Sequence, residues 1–278
     1  MRRSFLPRFV PLFLFFLAVV GTAATETYQL KLGFRQGEVR RYKVEESLTL
    51  KFQIPGQGPL EIKTVIKAVL RQEVLGVDPA GGAELACRME SWRRQNWANG
   101  EIVEAEDEEE KNLLGLRVRI KVSPQGETKL LEPTELPSTI SLDNYAGYSF
   151  LPPGPVTVGE EWTKNLMQNV GNVRCPTTVR SRLEKVERIG TSRLAQIAQE
   201  ITQEIPEFSL PLPDAAGQFI AAGTFFGAGR ISFDLDRGYT KEEAHLFQGR
   251  LMAKLASGEA KMEIPMDMEL MVIVNLLS

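Results

Sequence analysis

His245 is the only histidine in the chain, so any acid–base chemistry that needs an imidazole depends on it. Ser232 and Asp234 lie on the strand that we predict to precede it, and serine, histidine and aspartate form the catalytic triad of many hydrolases. The sequence around His245, Glu-Ala-His-Leu-Phe, is however typical of a plain strand and contains no Gly-x-Ser-x-Gly nucleophile elbow. We therefore expect no catalytic residues and no enzymatic activity.

Cys87 and Cys175 are the only cysteines, and both lie in apolar sequences typical of strands. An even number of cysteines permits a disulfide in an oxidising compartment, provided that the two Cα atoms lie within about 7 Å of each other. A buried free cysteine behaves as a small hydrophobe, so we favour two core thiols and leave the disulfide open. Two cysteines and one distant histidine are too few for a metal site, and we expect no metal and no cofactor.

Methionines and aromatic residues are the features that point to a ligand. Methionine adapts to apolar molecules of varied shape and is common on promiscuous binding surfaces, although an ordinary core is the alternative. The candidate apolar ligand face consists of Met252, Met262, Met266, Met268 and Phe233. Trp92 and Trp97 flank a polar run at 93–96 and form a candidate contact surface.

The N-terminus has the features of a signal peptide at residues 1–23. Arg2, Arg3 and Arg8 make a basic start, residues 9–20 are almost wholly apolar, and small residues at 21–23 suit cleavage after Ala23. The apolar run is too short to span a bilayer comfortably, so an uncleaved anchor is the less favoured alternative. Residues 2–6 resemble a twin-arginine export signal, whereas the very hydrophobic run suits the general secretory route. Either route predicts an extracytoplasmic protein, periplasmic or secreted, with no transmembrane span after cleavage.

Composition narrows the class of partner. The net charge of −3 argues against nucleic acid, which requires a basic surface. A hydrophobic content of 43% is ordinary for a soluble protein.

Alternation of apolar and polar residues predicts a chain made mostly of strands. Between Arg41 and Ile54 the even positions are apolar and the odd positions polar, with Glu46 the one break, which predicts a strand at 39–54 with one buried face. Glycine and proline at 55–59 predict a reversal into a second strand at 60–75. Further strands are predicted at 83–92, 117–122, 128–131, 162–170, 173–187, 195–205 and 229–235, with a last strand that carries Met262 to Leu276.

The order of strands and turns indicates an internal duplication. The Gly-Glu pair at Gly37 returns at Gly159, and the turn glycine Gly126 returns at Gly238. We divide the chain into a first β-meander copy (24–135), a linker (136–155) and a second copy (156–278). The predicted fold class is mainly β and antiparallel, with two tandem β-meander copies that form one large curved sheet or two packed half-barrels. Few short helices are expected, with 106–114 and 214–222 as the candidates.

Several turn and strand-edge residues carry a resemblance to a known group of proteins. They are Phe34-x-x-Gly37-Glu38, Leu151-Pro152, Val156-x-Val158-Gly159-Glu160-x-Trp162 and Phe233-Asp234-x-x-x-Gly238. This set resembles uncharacterised secreted β-rich bacterial proteins that are distantly similar to the lipoprotein-carrier fold. The resemblance implies a curved, open antiparallel sheet whose hollow accepts acyl chains, and it implies no catalytic residues.

The first functional hypothesis is accordingly a non-enzymatic extracytoplasmic binding or scaffold protein. The alternative is a carrier that holds an acyl chain or another apolar ligand in the hollow of a curved β-sheet, and the second alternative is an envelope-polymer hydrolase. The expected partners are an apolar small molecule or lipid, or another envelope protein.

Overall fold

The computed structural model describes residues 26–54, 56, 58–103, 113–114, 116–132, 151–170, 173–211, 218–257 and 260–277. The strands are β1 (Thr27–Tyr28), β2 (Val39–Ile54), β3 (Gly58–Val77), β4 (Ala83–Ala98), β5 (Glu101–Val103), β6 (Arg117–Val122), β7 (Thr128–Glu132), β8 (Val156–Thr157), β9 (Glu161–Val170), β10 (Val173–Ile189), β11 (Ser192–Pro211), β12 (Gln218–Asp234), β13 (Tyr239–Ser257) and β14 (Ala260–Leu277).

Twelve of these strands form one antiparallel sheet. Its order is β7-β6-β4-β3-β2-β14-β13-β12-β11-β10-β9, with β5 paired to β4, while β1 and β8 make a separate two-stranded sheet. The predicted mainly β, antiparallel fold class is confirmed, and the large sheet is continuous because β2 pairs with β14 along twelve register positions. Residues from the start and the end of the chain therefore lie side by side at its centre.

The predicted strand limits are accurate where short turns bound an alternating sequence. The limits of β2 and β6 agree with the prediction at both ends. Left-handed glycines mark the turns, as at Gly56 (φ 79°) and Gly58 (φ 82°) between β2 and β3.

Two predictions of local structure are wrong. Residues 218–222 of the candidate helix 214–222 lie in β12, and β4 continues to Ala98, beyond the predicted strand end at 92. In both places the backbone pairs with long neighbouring strands, and this pairing outweighs local composition. Of the candidate helix 106–114, only the helical residues Leu113 and Leu114 lie in the described part of the chain.

The sheet curls so that strands near its two edges pack into one core. We call this cluster the proximal core, and its buried members include Leu30, Tyr42, Leu70, Leu85, Ile120, Val156, Leu183, Ile197, Phe233 and Val274. The cluster contains Ile120 of β6 and Leu183 of β10, whose strands lie far apart in the sheet order. The Lys164 ammonium of β9 also reaches the Glu127 carboxylate in the β6–β7 turn at 3.0 Å.

The segment before β2 crosses the end of the sheet where the proximal core lies. The Leu32 amide donates to the Pro124 carbonyl (2.7 Å) and the Gly33 amide to the Gly238 carbonyl (2.8 Å), so this segment links the β6–β7 turn to the β12–β13 turn. A Cβ at Gly33 would lie only 2.7 Å from the Arg237 carbonyl oxygen, which explains why this crossing requires glycine.

Arg40 fastens the same segment to the sheet. Its guanidinium lies between the rings of Phe34 and Tyr239, at 5.4 and 5.1 Å from their centroids. It donates to the Gly33 carbonyl at 2.5 Å and to the Glu38 carboxylate at 2.9 and 3.0 Å. A buried charge with this many partners is well compensated, so Arg40 holds the segment before β2 against this end of the sheet.

Candidate functional site: the inner face of the curled sheet

The inner face of the sheet is the face that carries the proximal core. Farther along the same face lies a second apolar cluster, the distal cluster, on the opposite side of a polar band. Its buried members are Cys175, Ile205, Phe225, Leu251 and Met266, and its half-buried members are Leu50, Phe52, Val173 and Met268. The inner face therefore has a dry end, a polar middle and a partly open apolar end.

One row of paired residues crosses the polar middle from β10 to β4. We call it the central row, and in sheet order it consists of Ser181, Gln199, Gly229, His245, Val272, Glu46, Ile66 and Arg94. Directly paired residues of an antiparallel sheet point to the same face, so all these side chains share the inner face. The row brings together residues that are widely separated in the sequence.

Glycines of β12 let aromatic rings lie flat on this face. A Cβ at Gly229 would overlap the His245 ring, and a Cβ at Gly227 would come within 2.5 Å of the Phe247 ring. The two rings of β13 thus cover the backbone of the neighbouring strand instead of projecting into the hollow. Both rings therefore stay close to the sheet surface beside the central row.

Amide and hydroxyl side chains beside the glycines are buried and linked in pairs. Gln199 is 3% exposed, and its Nε2 donates to the Ser181 hydroxyl at 3.0 Å. Gln203 donates in the same way to the Thr177 hydroxyl at 3.0 Å. Among the described residues the Gln199 Oε1 atom has no hydrogen-bond partner, and an unsatisfied buried acceptor of this kind is costly.

His245 and Glu46 are the titratable groups that flank Val272 in the central row. Burial lowers the pKa of His245 to about 4, so its ring is neutral at pH 7. Its Nε2 lies 3.4 Å from the Glu243 carboxylate and has no hydrogen-bond partner within the described part of the chain. Burial raises the pKa of Glu46 above its ordinary value.

The structure distributes the predicted methionine face over three places. Met266 is buried in the distal cluster and Met268 packs beside it on the inner face. Met252 pairs with Pro265, so it shares the outer face and is 39% exposed. Phe233 is fully buried in the proximal core, and the Met262 side chain lies outside the described residues.

The two candidate contact tryptophans point to opposite faces. Trp92 pairs with the buried Ala68 on the inner face, whereas Trp97 pairs with Lys63 on the outer face. The Lys63 ammonium lies 5.8 Å from the centroid of the Trp97 ring. The structure does not bring the two tryptophans into one surface.

The residues considered for a catalytic triad are also kept apart. Ser232 pairs with Glu242 on the outer face, whereas His245 faces inward. Asp234 accepts hydrogen bonds from the amides of the following turn. The observed arrangement of these residues offers no nucleophile to the imidazole.

Cys87 and Cys175 are buried and not joined in a disulfide, the first in the proximal core and the second in the distal cluster. Burial raises the pKa of the Cys87 thiol to about 12, so this sulfur is protonated and unreactive at neutral pH. The two residues behave as the core thiols that the sequence favoured.

A groove of about 930 Å³ opens on the outer face near Phe226, which is 63% exposed. Four of its charged residues form two ion pairs: Lys51 lies 3.6 Å from Glu61, and Arg250 lies 2.9 Å from Asp267. In the described ranges, His, Cys, Asp and Glu residues form no group of three that could hold a metal ion. The helical residues described here include no helix long and apolar enough to cross a membrane.

Comparisons with known proteins give no family. No family model and no curated protein matches the chain. Among solved structures, DynF from the dynemicin biosynthesis pathway of Micromonospora chersina is 7% identical, with a TM-score of 0.21 over 91% of this chain and 86% of that one. A likeness of this size carries no argument about fold or function.

Proposed function

We propose that the protein is a non-enzymatic, exported binding protein that holds an apolar small molecule in the hollow of its sheet. The single observation that carries this proposal is the distal cluster, where Leu50, Phe52 and Met268 remain half-buried although they pack on a buried apolar group. Concave surfaces with partly exposed apolar side chains beside a few polar groups are typical of small-molecule sites. Apolar surface that stays exposed to water is typical of a binding site, whereas a purely structural protein would bury it.

Binding of a neutral fluorescent probe, N-phenyl-1-naphthylamine, tests the proposal. We expect the probe to bind the intact protein and Phe52→Ala to weaken this binding several-fold, because Phe52 belongs to the inner face. Phe226→Ala removes the same side chain from the outer groove and should leave binding unchanged. Absence of binding, or weakening by Phe226→Ala alone, would refute an inner-face site.

Export is part of the same proposal and rests on the N-terminal sequence. The basic start and the apolar run at 9–20 support cleavage after Ala23. N-terminal sequencing of the exported protein should find a start near Ala24. A start at Met1 would instead support an anchored form.

We also infer an internal duplication, which two matching turns support. The Gly37 amide donates to the Val74 carbonyl (2.8 Å), and the Gly159 amide donates to the Leu183 carbonyl (2.7 Å). Both glycines have positive φ, at 79° and 90°. In each turn the carboxylate after the glycine accepts a hydrogen bond from the amide three residues earlier.

Alanine substitutions test whether these two turns are equivalent. Gly37→Ala and Gly159→Ala should each cost about 1 kcal/mol, because both glycines adopt the left-handed conformation with open space around them. Urea unfolding measures both costs. Clearly unequal costs would argue against a common origin of the turns.

A further inference from the structure

Glu46 interrupts the apolar series from Tyr42 to Phe52 on the inner face of β2, and its neighbours on that face are apolar. Val44 and Leu48 precede and follow it on the same face of β2. Its direct partners on the neighbouring strands are Val272 of β14 and Ile66 of β3. An ionised carboxylate among apolar side chains destabilises the folded protein unless an opposite charge lies near it.

Among the described residues Glu46 forms no ion pair, and burial is what raises its pKa. Lys43 belongs to the outer face and pairs with Glu45 at 2.5 Å. Lys164, at the far side of the inner face, pairs with Glu127. Arg94 lies two strands from Glu46 in the central row and also takes part in an interaction.

Unsatisfied atoms on the same row provide an independent observation. His245 lies on the other side of Val272 from Glu46, is 6% exposed, and its Nε2 has no hydrogen-bond partner among the described residues. Gln199, which is 3% exposed, offers an unpaired Oε1 two strands farther along the row. A buried carbonyl oxygen of this kind needs a hydrogen-bond donor.

These groups favour a positively charged head group and disfavour a negatively charged one. Glu46 and Glu243 both face inward close to His245, so a carboxylate or phosphate placed there meets like charge. An ammonium group over Val272 supplies the missing positive charge beside Glu46 and a donor to the Nε2 of His245, whereas Gln199, three strands away, offers its Oε1 to another part of a ligand.

The apolar path from Glu46 leads directly to the distal cluster. Leu48, Leu50 and Phe52 follow on the inner face of β2, beside Leu270, Met268 and Met266 of β14. The six steps along the strand from Glu46 to Phe52 span about 20 Å at about 3.3 Å per step, enough for a long alkyl chain.

We propose that the hollow binds a cationic amphiphile, an alkyl chain that carries a protonated amine. The ammonium group lies over Val272 between Glu46 and His245, and the alkyl chain follows β2 and β14 to the distal cluster. This inference rests on the proposed function and adds the chemical class of the ligand to it.

Competition against N-phenyl-1-naphthylamine at pH 7 tests the inference with three ligands of equal chain length: dodecylamine, dodecanol and dodecanoate. We expect dodecylamine to bind at least about tenfold more tightly than dodecanoate, because the carboxylate of Glu46 attracts one head group and repels the other. Glu46→Gln should weaken dodecylamine binding about tenfold and leave dodecanol binding unchanged, which also shows that the variant is folded.

Glu45→Gln is the matched control, because Glu45 adjoins Glu46 in the sequence but faces outward beside Lys43. It should leave all three affinities unchanged. Equal binding of the three ligands, with no response to Glu46→Gln, would refute the cationic class while the proposed function stands. Failure of every ligand and of the probe to bind would refute the proposed function as well.

Discussion

Burial of His245 predicts that the protein loses stability as the pH falls. The pKa of this residue falls from its ordinary value of 6.5 to about 4 in the folded protein. Between these two values the unfolded chain binds a proton that the folded protein does not bind, so a lower pH favours unfolding. One pKa unit corresponds to about 1.4 kcal/mol, and the loss between pH 7 and pH 5 amounts to about 2 kcal/mol.

Glu46 acts in the opposite direction over part of the same range. Burial raises its folded pKa above 4.5, so the folded protein binds this proton more readily than the unfolded chain. The stability that Glu46 contributes to the folded protein is present at low pH and is lost as the pH rises through its folded pKa. The stability of the wild-type protein therefore combines two opposing slopes, and a variant is needed to separate them.

Comparison with His245→Gln isolates the histidine, because the chain contains no other. Urea unfolding at pH 7 and pH 5 gives the free energy of unfolding of both proteins. We expect the wild type to lose about 2 kcal/mol more than the variant between these two pH values. If both proteins lose the same free energy of unfolding, burial does not hold His245 neutral. A larger loss in the variant would mean that the folded protein raises the pKa of His245 instead of lowering it.

Two further predictions concern stability and use urea unfolding at pH 7. Gly229→Ala should cost about 1–3 kcal/mol of stability, because the new methyl group overlaps the His245 ring. Gly76→Ala is the control: its new methyl group meets no atom within 4 Å, and stability should change by less than about 0.5 kcal/mol. Similar effects at both glycines would contradict the close packing of β12 on β13. Arg40→Ala should cost about 2–3 kcal/mol, because it removes a buried guanidinium that packs on two rings and hydrogen-bonds the Glu38 carboxylate. Arg41→Ala, on a side chain that is 53% exposed, should cost less than about 0.5 kcal/mol. A cost for Arg41→Ala as large as that for Arg40→Ala would contradict the fastening role of Arg40.

The sequence predicts strands well where local signals agree. Alternation and turn glycines place both ends of β2 correctly, because the solvent-exposed face, the buried face and the turn into β3 are all encoded within about 20 residues. The start of β12 was missed because Gly223, Gly227 and Gly229 interrupt its alternation. That strand depends on its partners β11 and β13, which accept a glycine-rich backbone because their own side chains cover it.

The candidate site depends on register between strands, which local sequence does not encode. The break at Glu46 is visible in the sequence, but its meaning depends on Val272 and His245, which become its neighbours only through the pairing of β2 with β14 and β13. The spacing of the methionines likewise fixes faces within one strand and not between strands, so Met252 and Met266 separate although the sequence groups them. A slip of one residue between β14 and β2 would turn Glu46 to the face opposite His245. The register of the central pair of strands, and not any single residue, therefore decides whether the two groups can act on one ligand.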